Sequence, residues 1–251
     1  MKIFLPMLLL ISSIAHAQYT IGSRSFNSVY PIPTVQVSSS VSGVSESTGT
    51  TFIFQKNVAI GNTILWTFYI PTGTSSYITS ITDDNSQTYV SGPSINSTNG
   101  RLQTFYVLSS AYAMTTSNHI TLTTSGTIPA YYLSWSDTTI VGLNSFGNYN
   151  ISCNSSGTSY TDSLSAASTY SSLLSFSYTY GPIGLSQSTL SSSNSITVEQ
   201  FVSMDSTSNP WPSTLVYFEP SMGTSSSVTV TFQPAPSSPP YCYYTTELRS
   251  H

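Results

Sequence analysis

Charge is the scarcest feature of this chain: 251 residues include five Lys or Arg and nine Asp or Glu, for a formal net charge of −4. With no basic cluster, the sequence excludes nucleic acid and anionic lipid as partners, because both are held by rows of cations. Histidine is scarce too. His16 lies in the apolar leader, His251 ends the sequence, and only His119 remains, at the start of a strand. No His/Cys cluster of zinc spacing exists, so no metal or other cofactor is expected. Ser-His catalysis would rest on His119 alone, without a Gly-x-Ser-x-Gly elbow, and no catalytic residue is expected. Long apolar runs are missing as well. Ile3 to Ile14 is too short for a hydrocarbon layer of about 30 Å, and no later run matches it.

That short run, with Lys2 before it and Ala15-His16-Ala17 after it, reads as a cleavable export signal over 1–17, cut between Ala17 and Gln18. No Cys follows it, which argues against a lipoprotein. The expectation is a secreted protein, extracellular or at the cell surface, with no stable membrane insertion. The mature chain keeps four cations: Arg24, Lys56, Arg101 and Arg249. Such a surface changes little in protonation as pH falls, as suits an acid habitat. Cys153 and Cys242 are the only cysteines. Export favours a disulfide between them, and two separate buried thiols are the alternative.

What the chain does have is Ser, Thr and Tyr in alternation with Val, Ile and Leu. Val228-Thr229-Val230-Thr231-Phe232, Ile120-Thr121-Leu122-Thr123 and Leu133-Ser134-Trp135-Ser136 have period two, as strands with one wet face require. Thr63 to Ile70 is apolar on both faces, as a strand covered on both sides requires. Further strands are expected at 52–54, 77–82, 102–108, 172–178, 196–202, 214–218 and 241–248. The turns between them predict an all-β fold, an antiparallel β-sandwich or jelly roll over 50–251. Residues 18–49 hold Tyr30-Pro31-Ile32-Pro33 and then small β-formers, and read as an extended N-terminal arm. The arm is either a plain linker or first strand, or a donor strand in which Val35, Val37 and Val41 share one face and enter a neighbour's groove.

From Thr51 onward the order of motifs resembles a β-sandwich module of exported bacterial, archaeal and phage-associated proteins. Its motifs read here as Gly61-Asn62-Thr63-Ile64-Leu65-Trp66, Ile78 to Asp83 with Tyr89, Thr104-Phe105-Tyr106-Val107, Asn118 to Thr123, and Tyr131 to Trp135. Low charge, Ser/Thr/Tyr richness, export and the arm are also similar to the thread-type extracellular filament subunits of thermoacidophilic archaea. That resemblance implies glycosylated sandwiches joined into a homopolymer by an N-terminal donor strand.

Other candidate chemistry has a plain counterpart. Glu199, Asp205 and Glu219 could supply the carboxylate pair of a glycosidase or simply solvate strand ends. Asp83-Asp84-Asn85 is a calcium-loop fragment or an ordinary turn. Trp135, Trp211, Tyr131, Tyr132 and Tyr241 to Tyr244 form a sugar-stacking platform or belong to the core. Three sequons, at Asn96, Asn150 and Asn154, offer N-glycosylation, the last two in a loop around Cys153. The leading expectation is therefore a non-enzymatic structural subunit of an extracellular filament or surface layer, with a role in adhesion and surface glycans as further partners. The alternative is a secreted carbohydrate-binding or glycan-processing β-sandwich.

Overall fold

The computed structural model describes residues 35–250 apart from 46, 56, 72–74, 116, 131, 158, 168–170, 181–188, 193–198, 204–211 and 232–239. The signal, the Ala17–Gln18 junction and the arm up to residue 34 lie outside the described residues. So does the proline-rich stretch before the last strand.

The first eight strands are β1 (Gln36–Val44), β2 (Gly49–Gln55), β3 (Thr63–Ile70), β4 (Ile78–Asp83), β5 (Val90–Ser97), β6 (Gly100–Val107), β7 (His119–Ile128) and β8 (Ser134–Val141). The next eight are β9 (Ser145–Asn154), β10 (Ser159–Ser165), β11 (Ser171–Tyr180), β12 (Thr189–Ser192), β13 (Glu199–Ser203), β14 (Pro212–Glu219), β15 (Ser225–Thr231) and β16 (Tyr241–Arg249). The first eight form a five-stranded sheet of order β1-β8-β3-β6-β5 and a three-stranded sheet of order β2-β7-β4. The second eight repeat the arrangement as β9-β16-β11-β14-β13 and β10-β15-β12. Every ladder is antiparallel, and each set of eight has the strand order of a jelly roll.

The single sandwich expected over 50–251 is therefore two jelly rolls in tandem, and the first begins inside the supposed arm. The irregularities repeat with the order. The first strand of each unit carries one extra residue against its last strand, between Val37 and Ser39 in β1 and between Phe146 and Tyr149 in β9. The fifth strand does so against the sixth, between Ser91 and Ser94 in β5 and between Gln200 and Val202 in β13. Bulges are specific features of a strand pair, so their recurrence marks a duplicated unit.

The two five-stranded sheets pack face to face, giving four layers in all. β1 lies over β13 and β14, β8 over β14, β6 over β16, and β5 over β9, as an approximate two-fold axis through β3 and β11 would place them. Tyr69 of β3 stacks on Tyr178 of β11 at 5.6 Å, and the Tyr178 hydroxyl donates to the Thr67 carbonyl at 3.3 Å. Leu65, Leu102, Ile140, Leu174, Phe176 and Leu248 fill the space between the sheets. Two further cores lie between inner and outer sheets, one around Trp66 and Phe68 and one around Tyr217 and Val230. All eight residues of β3 are buried, as its two-sided apolarity predicts.

Alternation misled elsewhere. Ser134 and Ser136 of β8 are buried, not wet, because β8 is covered on both faces. Ser136 pairs its hydroxyl with Ser42 at 2.6 Å, and Thr138 pairs with Ser40 at 3.0 Å. Paired hydroxyls satisfy each other, so most of a serine face enters a core without loss, although the buried Ser134 Oγ has no partner among the described residues.

Candidate functional site

Two rims of the inner sheets gather the residues singled out from sequence. The β1 rim holds the donor-strand valines. Val35 is buried in the core between the jelly rolls and Val37 packs against it, but Val41 is 44% exposed. The three do not share a face, because the bulge at Ser38 shifts the alternation by one residue. Ser40 takes the inward position instead. β1 pairs with β8 of its own chain, and its remaining hold is a hydroxyl ladder: Ser38 Oγ to the Thr139 carbonyl (3.3 Å), Ser40 with Thr138 and Ser42 with Ser136. Gly43 lies opposite Trp135, and a Cβ there would run into the indole ring, so glycine fixes the strand's register. Among the described residues, no strand pairs with the other side of β1.

The opposite rim is formed by β5 and β9. Cys153 of β9 and Cys242 of β16 stand directly opposite each other and form a disulfide. Asn150 and Asn154 belong to strand β9 and not to a loop. The strand at Ser145–Asn154 was hidden because its polar residues, Asn148 and Asn150, serve to tie it to a neighbouring strand. Their amides reach across to β10: Asn148 Nδ2 donates to the Ser165 carbonyl (2.9 Å), and Asn150 Nδ2 donates to Asp162 Oδ1 and the Ser163 carbonyl (2.8 Å each). Asn96 is exposed on β5, where its Oδ1 accepts from Arg101 Nε at 3.2 Å.

The remaining candidates resolve into structural roles. Asp83 Oδ1 accepts from the backbone amides of Asn85 (2.9 Å) and Gln87 (3.0 Å), and Oδ2 from Gln87 Nε2 and the Tyr89 hydroxyl. The carboxylate is spent on a turn. Burial, and then the Asp83 charge, push the Tyr89 phenol far above its ordinary value. His119 Nδ1 lies 3.2 Å from Asp84 Oδ2, with both side chains nearly half exposed, and its backbone amide donates to the same oxygen at 2.7 Å. Glu219 is buried and accepts from Ser226 Oγ at 2.6 Å. The side chains of Glu199 and Asp205 lie outside the described residues, as do Tyr131 and Trp211. Trp135 packs on Phe54 and Trp66 at 5.1 and 5.8 Å, and Tyr132 leans on the same core. Tyr241 and Tyr244 are buried, and Tyr243 stacks on Tyr160 at 4.5 Å.

One feature was missed from sequence. Tyr106, Phe146, Tyr149 and Tyr244 line a cleft of about 380 Å³ at the seam of the two jelly rolls, beside Pro93 and Thr246. Tyr106 and Phe146 meet edge to face at 4.9 Å, and Tyr149 is 52% exposed. These residues come from both units, and the packing of β5 and β6 against β9 brings them together.

Among the described residues, no group of His, Cys, Asp and Glu could hold a metal ion, and no helix is long and apolar enough to cross a membrane. Comparison with protein families, curated proteins and solved structures finds no match to this chain.

Proposed function

We propose that the protein is a secreted structural subunit that polymerises into an extracellular filament or surface layer by exchanging β1 between copies, and that the polymer serves adhesion. The observation that supports this reading is how β1 is held. It sits at a sheet rim, anchors on the core through Val35 and Val37, and otherwise touches β8 through hydroxyl pairs that β1 of another copy supplies equally well. From Ser39 to Val44 it has unbroken register with no charge and no proline, the usual devices that protect an edge. Transfer to a neighbour keeps every backbone bond to β8 and the Gly43–Trp135 match, so the exchange itself costs little. A neutral, hydroxyl-rich surface also leaves such a polymer with few charges to lose in acid.

The test is complementation. Protein lacking residues 18–45 should stay monomeric and bind a synthetic peptide of residues 34–45, and the Gly43→Val peptide should not bind. Truncated protein that still polymerises, or that ignores the peptide, overturns the reading. The cleft favours a second reading, a secreted carbohydrate-binding protein. Uncharged ring faces flanked by hydroxyls suit a neutral sugar. Saturation transfer from the protein to methyl glycosides, lost in Tyr149→Ala, would favour it.

A further inference from the structure

The three sequons are not equivalent in the fold. Asn150 Nδ2 spends both hydrogens, on Asp162 Oδ1 and on the Ser163 carbonyl, at 2.8 Å each. Asp162 is buried and its Oδ2 has no hydrogen-bond partner among the described residues, so the carboxylate leans on this amide. N-glycosylation replaces one amide hydrogen by a sugar. The Nδ2–C1 bond forms as the C1–O bond to the phosphate of a lipid-linked oligosaccharide breaks. The phosphate leaves with the electron pair, and the amide gives up one proton. At Asn150 that exchange removes one of the two bonds this amide makes from β9 to β10, the one to the buried Asp162 being half-buried itself, and puts a sugar ring where β10 lies.

Asn96 and Asn154 are differently placed. Asn96 is exposed and uses its carbonyl oxygen, not its nitrogen, to hold Arg101. Asn154, the last residue of β9, gives one hydrogen to Ser152 Oγ at 3.3 Å and, among the described residues, keeps the other. Both stand on the rim where β5 lies over β9. They also share one end of it, because Asn99 at the β5–β6 turn donates to the Cys153 carbonyl at 3.5 Å.

We propose that Asn96 and Asn154 carry N-glycans, that Asn150 is an unmodified staple between β9 and β10, and that the two glycans close the β5/β9 rim to strand addition. β9 and β5 are sheet edges, and an edge with unpaired backbone invites another strand unless something bulky or charged covers it. Glycans on this rim leave the β1 rim as the open side, which gives association a direction. This last step rests on the β1 reading above; the choice of sequons does not.

The full chain is secreted from a yeast that recognises Asn-X-Ser/Thr, and the folded, disulfide-bonded fraction is deglycosylated by an amidase in heavy-oxygen water and mapped by mass spectrometry. Label is expected at Asn96 and Asn154 and not at Asn150. Label at Asn150, or an unlabelled Asn96 or Asn154, overturns the assignment. Asn150→Gln should lower the melting temperature by several degrees, while Asn96→Gln and Asn154→Gln should not; equal shifts also overturn it. The Asn96→Gln, Asn154→Gln double variant should associate laterally beyond the wild type in light scattering. No added association overturns the rim-closing role. Failure of the β1 reading shows separately, as polymer that survives deletion of residues 18–45.

Discussion

Replacing Glu247 by Gln probes the electrostatics that hold the second jelly roll. The carboxylate is buried and accepts from the backbone amides of Asn148 (2.9 Å) and Ala167 (2.8 Å), from Arg249 Nη2 (2.8 Å) and from Ser171 Oγ. It thus ties β9 and the β10–β11 connection to β16, and Gly147 is required beside it because a Cβ there would collide with Oε2. Burial pushes the carboxyl pKa up, but Arg249, Ser171 and the two amides together outweigh it and hold it at about 2, below the ordinary 4.5. A folded pKa below the unfolded one stabilises the fold above pH 4.5 and loses that contribution as pH falls through about 2. At about 1.4 kcal/mol per pH unit the shift corresponds to about 3 kcal/mol, and solvent screening of the partly exposed Arg249 reduces it to about 2 kcal/mol. Glutamine loses the charge and turns an NH₂ towards donors, which costs about as much again in unpaired groups. In a chain of this size each kcal/mol moves Tm by about 2–4 °C, so the total of about 4 kcal/mol should make E247Q melt about 8–16 °C below wild type at pH 7. Circular-dichroism melts at pH 7, 4.5, 3 and 1.5 should show the gap persisting down to about pH 4.5 and narrowing steadily from there to about pH 2, where the folded carboxyl protonates. A gap that stays constant down to pH 1.5, or no gap at pH 7, would refute the reasoning.

Two other outcomes follow from the buried chemistry. Replacing Cys153 and Cys242 together by Ala should cost about 4–5 kcal/mol in urea unfolding, since the bond closes a loop with a sequence separation of 89; an unchanged midpoint would show that cross-strand pairing alone holds β9 to β16. Burial pushes the phenols of Tyr178, Tyr217 and Tyr244 far above their ordinary value of 10. Such groups stabilise the fold below pH 10, and that contribution is lost as pH rises towards their folded values. Ultraviolet titration should therefore show the three ionising together with alkaline unfolding, not ahead of it.

Most strands were legible, because strands such as β3 and β16 are rich in β-branched and aromatic residues and the turns carry Gly, Asn and Asp, but the Ser- and Asn-rich β5, β9, β10 and β12 were not. The duplication was not. Equivalent positions share geometry without identity, as Val37 and Phe146 do at the first-strand bulge. Nor was two-sided burial of serine faces, as at Ser134 and Ser136 of β8, or at Ser175 and Ser177 of β11, whose hydroxyls meet Thr245 and Tyr160. Of the candidate sites, the cysteine pair was readable from count and export alone. The valine triplet was not, since one bulge at Ser38 undoes a period of two. The seam cleft was invisible because Tyr106 and Tyr149 come from different units.

The exchange of β1 is tested most directly by mixing two singly substituted mature chains, Ser42→Cys and Ser136→Cys. These positions lie directly opposite on β1 and β8, with their hydroxyls 2.6 Å apart. Assembled together and oxidised, the mixture should give a disulfide joining one chain's residue 42 to another's residue 136, seen as dimer on non-reducing gels and confirmed by peptide mapping. Filaments that form without this cross-link, or chains that stay monomeric at high concentration in acid, would contradict the account.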